Sequence, residues 1–491
     1  MHNSSEKKSP DAADRIGTEP VGRLLLRFSL PAITGMLVNA LYNVVDRIFV
    51  GRFINEVALG GLSLVMPLMI IAMAFAMLFG VGSANLISMR LGQGRREEAE
   101  KALSHCLLLL TGVGFVLMAA GLIFIDPILS LMGAQPGSES LYYARGYLRV
   151  TLFGAVFMQI GFGLSHCTRA QGFPLITMAG MLLGAILNII LDAVFILVFG
   201  WGVEGVALAT VISQFCSFVW IFSFSCSKKA VVRLSLANVK AALFKPSIKL
   251  IGEIMSFGSP QFAMQFIGSV VLIIFNTILS RLGPGALGVS NGGDIALSGM
   301  NIVNSISMLI LMPVIGINQG AQPILGYNYG AKKFSRVREA YLRAIFAASC
   351  ICISGFILIQ SFPLAITMFF VPEGSAAFVH FTPLAMRIFK LSLPLTGFLI
   401  ISSHLFVVTG RPKISTLLNT LRQCIILIPC ALILGNIWGL WGFIAALPVT
   451  EGISLIITGF FIFREMKKLK SLIQTEKAVL EPVRNAVGSA E

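Results

Sequence analysis

Long apolar stretches alternate with short polar connectors along most of this chain of 491 residues. Many of the stretches reach the roughly 20 residues that a helix needs to cross a bilayer. The alternating pattern typical of an outer-membrane barrel is absent, so the predicted fold is an all-α polytopic membrane protein. The pattern predicts twelve transmembrane helices at residues 27–50, 57–89, 99–125, 141–167, 174–199, 204–226, 254–281, 293–326, 336–362, 384–409, 412–435 and 440–463.

Four short segments recur in the same order in the two halves of the chain. SLPAI aligns with GSPQF, which sets Pro31 on Pro260, and QGFPLI aligns with TGRPKI, which sets Gly172 on Gly410. LGQGRREEAEKA aligns with YNYGAKKFSRVREA, and WGVEGVALAT aligns with WGLWGFIAAL. A repeat of six spans in the same orientation predicts two pseudo-symmetric six-helix bundles.

Composition and charge agree with this topology. With 56% hydrophobic and 12% charged residues, the chain is unlike a soluble domain. The formal net charge of +15 comes from basic residues in alternate connectors, so nucleic acid is not an expected partner. Because Lys and Arg collect in cytoplasmic loops, both termini and the central connector are expected in the cytoplasm.

The predicted organisation has five parts. They are a cytoplasmic tail at 1–23, a first lobe at 24–227, a basic cytoplasmic connector at 228–250, a second lobe at 251–465 and a cytoplasmic tail at 466–491. The first twenty residues are polar, and we expect them to be disordered. Since both repeats lie in one chain, with substrate between the halves, a monomer can suffice.

The first predicted span carries a polar stripe near its end, in NALYNVVDRIFVGR. Asn39, Tyr42, Asn43 and Asp46 are spaced so that they share one helix face. An ionisable side chain at the bilayer centre costs about 2.5–3.5 kcal/mol, so it usually lines a cavity or an ion pathway. In the alternative interpretation, Asp46 lies at the end of the span and pairs with Arg47.

Predicted spans five and six carry further polar groups at helical spacing. Asn188 and Asp192 lie four residues apart, on one face of span five. Thr210 and Gln214 have the same spacing in span six. Together with Asp46, they form a set of oxygen-bearing side chains suited to a proton or a sodium ion.

The second half of the chain lacks this polar set. If the set were needed only to build a six-helix bundle, the second bundle would need it too. We therefore predict an ion site in the first half. In the repeat alignment, the counterparts of Asp46, Asn188, Asp192 and Thr210 are, in that order, Phe275, Ile426, Cys430 and Leu447.

Three further residues are weaker candidates. Glu451 lies in span twelve at the position of Gln214, where it would either meet a cationic substrate or make an interhelical hydrogen bond. Asp294 begins span eight and would be either part of a second polar site or a partner of the helix dipole. Pro31 interrupts the first span and would be either a hinge or a static kink.

Motifs for tightly bound cofactors are missing from the sequence. GxxxxGK[ST] and HExxH do not occur, and the eight cysteines include no CxxC pair. We therefore predict no cofactor, and no metal ion beyond a sodium ion at the cation site. A proton is the other candidate for the coupling ion.

Several of these segments together resemble the MATE family, the multidrug and toxic compound extrusion transporters. The likeness rests on VVDRIFVGR, the RLGQGR connector, WGVEGVALAT, and the positions of Pro31, Asn188, Asp192 and Thr210. The stretch from GDIALSGMNIVNS to LGYNYGAKK looks most like the MepA-type bacterial branch. The resemblance therefore implies a multi-pass protein of the bacterial inner membrane.

The resemblance also implies a mechanism. Family members are V-shaped pairs of six-helix lobes that export cationic, amphipathic drugs in exchange for protons or sodium. Their first-lobe cation site matches Asp46, Asn188, Asp192 and Thr210, and Pro31 matches a proline proposed to bend the first helix. A cation site in the second lobe is not expected, because 261–279 and 391–408 contain no acidic residue.

Two other functions stay open at this point. A lipid or oligosaccharide flippase of the same superfamily would share the architecture but should contain a basic cavity for pyrophosphate, for which Lys390 and Arg422 are the residues to test. A membrane-embedded enzyme would use Asp46 and Asp192 as an aspartyl dyad. The duplicated twelve-span plan is typical of carriers and favours transport.

Overall fold

The computed structural model describes residues 12–54, 56–132, 137–371 and 375–488, and every regular element in these ranges is helical. Two five-residue segments, Val194–Val198 and Leu421–Ile425, are π-helical. The α-helices of the first half and the connector are α1 Ala12–Thr18, α2 Val21–Phe53, α3 Glu56–Gly92, α4 Arg96–Ile123, α5 Ile125–Leu131, α6 Glu139–Ala170, α7 Pro174–Ala193, α8 Val203–Cys226 and α9 Leu236–Phe244. Those of the second half are α10 Ile248–Leu287, α11 Gly292–Gly330, α12 Phe334–Ser361, α13 Pro363–Phe370, α14 Ala376–Phe389, α15 Leu393–Val408, α16 Pro412–Thr420 and α17 Leu427–Gly488.

The helices account for the twelve predicted spans. In the described chain, ten helices are long and apolar enough to cross a membrane, and α14 with α15 forms an eleventh span. Within α17, the backbone at Trp438 and Gly439 is not helical, and this break separates predicted spans eleven and twelve. Gly439 has φ 58°, a left-handed conformation that glycine adopts without a steric penalty.

Span ten differs from its prediction in two ways. It begins at Ala376, before the predicted start at 384, and it bends by 44° between α14 and α15. Pro394 lies in the first turn of α15, where its missing N–H removes a hydrogen bond that a continuous helix would need. The predicted start of span ten was therefore too late in the chain.

The chain divides into two compact units, which differ from a simple split at the connector. The first unit contains Met1–Gly258, Gly320–Ala340 and Val479–Glu491, and the second contains Ser259–Gln319 and Tyr341–Ala478. The end of α11 joins the first unit because glycines allow close backbone contact there. A Cβ atom at Gly330 would collide with the backbone of Met89 in α3.

The segment before the first span is helical, so the expectation of disorder was wrong for residues 12–18. Ile16 in α1 is 1% exposed, and its carbonyl accepts hydrogen bonds from Asn328 at 3.2 Å and Arg336 at 3.1 Å. Lys333 Nζ donates to the Gly17 carbonyl at 2.9 Å. These donors satisfy carbonyl groups at the C-terminal end of α1, which would otherwise lack partners.

Candidate cation-binding site

Three of the predicted cation-site residues meet where α7 packs against α8. Asn188 is 2% exposed and Asp192 is fully buried, on the same face of α7. Asn188 Nδ2 donates to Thr210 Oγ1 at 3.3 Å, and Thr210 Oγ1 donates to the Val206 carbonyl at 3.1 Å. The sequence spacing therefore predicted these side chains on the correct helix faces.

Asp46 completes this set from α2, which packs against α7. Its side chain is 9% exposed, and its charge acts on Asp192. Neither carboxylate oxygen of Asp192 has a hydrogen-bond partner in the described part of the protein. Two neighbouring buried carboxylates cannot both stay charged without a compensating cation or proton. The arrangement is therefore suited to binding a cation or a proton.

Tyr147 belongs to the same cluster, although the sequence analysis did not select it. It lies on α6, beside the side chain of Thr210 and within electrostatic range of Asp46 and Asp192. The only sequence signal was a hydroxyl-bearing aromatic in an apolar span, in a chain with 7 Tyr and 37 Phe. Its phenol group adds a hydrogen-bond donor beside Thr210 to the cluster.

A cavity of about 190 Å³ adjoins the carboxylates and shares Asn188 and Thr210 with them. Tyr42 and Gln214, both predicted as substrate contacts, also line it. The remaining wall includes Met73, Met158, Met181, Phe157 and Phe162. Methionine and aromatic side chains adapt to ligands of different shapes, so this wall suits apolar parts of varied compounds.

The other predicted residues lie elsewhere or outside the described side chains. Asn43 and Arg47 have side chains outside the described set, so neither a role for Asn43 nor an Asp46–Arg47 pair is tested. Pro31 is buried within the continuous helix α2, and its role as a hinge stays a prediction. Asp294 is exposed in the first turn of α11, where it complements the helix dipole and does not join the site.

Glu451 belongs to the second unit and is not part of the cation site. Thr396 Oγ1 donates a hydrogen bond to Glu451 Oε2 at 2.9 Å. Glu451 Oε1 lies 3.8 Å from Arg422 Nη1. The acid thus makes the interhelical hydrogen bond that was one of its two predicted roles.

One catalytic pattern present in the chain lacks its structural context. GVSNG at residues 288–292 matches GxSxG, in which a nucleophilic serine occupies a turn between a strand and a helix. In the structure, this segment connects α10 to α11, and the described residues contain no strand. The match therefore does not indicate a hydrolase.

Comparisons with known proteins agree with the duplicated architecture. The family model MatE matches residues 31–194 and again residues 260–433, so each half matches separately. The multidrug export protein MepA of Staphylococcus aureus (strain MRSA252) is 26% identical over 446 residues, which are 90% of this chain and 94% of that protein. MepA of Staphylococcus haemolyticus (strain JCSC1435) is 25% identical over 466 residues, covering 93% and 96%.

A solved structure has the same fold. It is described as the outward-facing conformation of a multidrug resistance MATE family transporter of the MOP superfamily, and it matches with a TM-score of 0.85 and 25% identity. The match covers 95% of this chain and 99% of that one. Since the family model also matches well over half of the sequence, the chain belongs to the MatE family of multi-pass membrane transporters and is not an enzyme.

Proposed function

We propose that this transporter exports cationic, amphipathic compounds from the bacterial cytoplasm in exchange for protons or sodium ions. The observation that carries the proposal is the pair of buried carboxylates, Asp46 and Asp192, next to a cavity with apolar walls. Its curated relatives named above are multidrug export proteins, which supports the substrate class. The exporter works as a monomer, with both termini in the cytoplasm.

The two carboxylates would carry the coupling ion, with Asn188 and Thr210 as neutral oxygen ligands. Uptake of a cation from outside would cancel their repulsion and release the drug, and loss of the cation inside would restore the drug-binding state. Pro31 would bend α2 between these states. Tyr42 and Gln214 would contact the drug in the cavity.

The coupling ion supplies enough energy for this exchange. One elementary charge crossing 100 mV releases about 2.3 kcal/mol. That free energy supports roughly a fifty-fold gradient of a neutral cargo, since each 1.4 kcal/mol is a factor of about ten. An exchange of one ion for one monovalent cationic drug moves no net charge, so the concentration gradient of the ion would supply its energy, at about 1.4 kcal/mol for each factor of ten.

The test is uptake of ethidium into proteoliposomes, with proton and sodium gradients applied separately. Uptake driven by one gradient, and lost in Asp46→Asn, would support the antiporter and identify its ion. Asp294→Asn is the matched control, because Asp294 is an exposed acid outside the cluster. Retained uptake in a folded Asp46→Asn variant would contradict the assignment of the coupling site.

A flippase for pyrophosphate-linked lipids is less well supported. Lys390 is buried and Arg422 is mostly buried in the second unit, but Glu451 lies 3.8 Å from Arg422 and reduces their combined charge to one. A pyrophosphate group carries at least two negative charges and would need more compensation. If ethidium and other cationic dyes are not transported under either gradient, lipid-linked cargo becomes the leading candidate.

A further inference from the structure

Two irregular helical segments occur in the second unit and not at the corresponding places in the first. The helix break at Lys390–Ser392 between α14 and α15 corresponds, by the alignment of Gly172 with Gly410, to an uninterrupted part of α6. The π-helical segment Leu421–Ile425 corresponds in the same way to a regular part of α7. Such breaks and π segments are frequent at functional sites of membrane proteins.

Each irregular segment carries a cationic residue with little exposure to solvent. Lys390, at the break, is 8% exposed, and Arg422, in the π-helical segment, has a side chain that is 12% exposed. In the first unit, the position of Arg422 is taken by Gly184. Since a charge removed from water needs a compensating partner, the buried Lys390 and the mostly buried Arg422 require an explanation.

Glu451 compensates these cations only in part. It lies 3.8 Å from Arg422, longer than the roughly 2.8 Å of a close charge-assisted hydrogen bond. Its other oxygen accepts from Thr396 at 2.9 Å. Lys390 makes no ion pair within 4.0 Å among the described residues, and its ammonium lies 4.5 Å from the centre of the Phe389 ring.

The cluster therefore has one excess positive charge. Lys390 and Arg422 contribute two positive charges, and Glu451 is the acid whose charge acts on Lys390. The end of α14 adds about half a negative charge and the start of α15 about half a positive one, so the break itself contributes no net charge. Ser454, one turn from Glu451 on α17, adds a buried hydroxyl without a hydrogen-bond partner among the described residues.

We propose that Lys390 and Arg422 form an anion-binding site in the second unit, which takes the carboxylate of a zwitterionic or monoanionic amphipathic compound. A single carboxylate cancels the excess charge, and its two oxygens match the paired donors of a guanidinium group. Glu451 and Thr396 position Arg422 and keep the site selective for one negative charge. The site extends the proposed export function to cargo that carries a carboxylate.

The test compares two dyes that differ at one group. Rhodamine 110 carries a free carboxylate, and rhodamine 123 is its methyl ester. Binding to the purified protein in detergent is measured by fluorescence anisotropy, without an ion gradient, so the result is independent of whether the coupling proposal holds. We expect Arg422→Gln and Lys390→Gln each to weaken binding of the free acid about tenfold or more, with the ester changed less than about twofold.

Glu451→Gln gives a result of opposite sign. It raises the excess charge to two, so binding of the free acid should strengthen relative to the ester. Arg411→Gln is the control, because Arg411 pairs with Glu465 at 2.9 Å and lies outside the cluster. A purely structural network would make Glu451→Gln weaken both dyes alike.

Three outcomes would overturn the proposal. They are equal weakening of both dyes in Arg422→Gln, no change for the free acid in Lys390→Gln, and displacement of the free acid by phosphatidylglycerol but not by benzoate, which would assign the site to a lipid headgroup. If Arg422→Gln does not fold, Arg422→Lys keeps the charge and loses the paired donors. That variant should bind the free acid more weakly than the wild type does but better than Lys390→Gln.

Discussion

The two units contain two copies of one repeat but differ in their buried charges. The first unit buries two acids, Asp46 and Asp192, whereas the second places two bases, the buried Lys390 and the mostly buried Arg422, around Glu451. Prolines and glycines are shared between the copies, as in the alignments that begin SLPAI and QGFPLI. The shared residues therefore reflect the bundle, and the charges reflect separate functions of each copy.

The two units also differ in what surrounds two further pairs of corresponding residues. Gly184 and Gln214 line the cavity of about 190 Å³ in the first unit. Their counterparts in the second unit, Arg422 and Glu451, interact with one another. The second unit therefore has an ion pair where the first unit has a glycine and a neutral amide in the wall of a cavity.

We expect the largest effect on export from replacing Asp192, because the second unit has no acid at the corresponding position. Asp192→Asn should lower ion-driven ethidium export by at least about tenfold, because the variant cannot exchange a charge with the coupling ion. Export is measured in proteoliposomes at equal protein density. The counterpart of Asp192 in the second unit is Cys430, which is partly buried and has no predicted role.

The matched control is therefore Cys430→Ser, which should leave export within about twofold of the wild type, as most substitutions away from a site do. If both variants lose export equally, the two copies are functionally equivalent, and the charge comparison has no mechanistic meaning.

The second effect concerns the space around Gly184. A Cβ atom at this position would collide with the Ser217 hydroxyl, which is held by a 3.0 Å hydrogen bond to the Gly180 carbonyl. Gly184→Ala should therefore destabilise the α7–α8 contact by about 1–3 kcal/mol, the usual cost of overpacking. Thermal unfolding in detergent measures this destabilisation. Adding Ser217→Ala should recover most of the lost stability. A Gly184→Ala variant as stable as the wild type would show that the helices separate easily.

The sequence predicted which of the candidate side chains lie together because helical spacing fixes which side chains share a face. Asn188 and Asp192 illustrate this, and the repeat added an internal control that separated them from packing residues. The break beside Lys390 was not located in the sequence, because a proline such as Pro394 is equally compatible with a kinked continuous helix. Helix α1 was missed because its stabilising partners, such as Asn328, lie 312 residues away in the sequence.

Tyr147 was also missed, and it provides the third prediction. Tyr147→Phe removes the hydroxyl beside Thr210 and keeps the ring, so export should fall by about three- to tenfold while the protein stays folded. The control is Tyr142→Phe on the same helix, because Tyr142 is 73% exposed. Unchanged export in Tyr147→Phe would exclude the Tyr147 phenol from the ion pathway.

The smallest effect distinguishes the roles of two threonines. Thr396→Val removes the donor to Glu451 in the second unit and should lower the free energy of unfolding by about 0.5–1.5 kcal/mol, with ethidium export unchanged. Thr210→Val removes the partner of Asn188 in the first unit, and its main effect should be on export. Export rates and thermal unfolding of both variants, measured on the same preparations, test this difference. Loss of ethidium export in Thr396→Val would mean that the second unit takes part in cation transport, because this threonine belongs to the second unit.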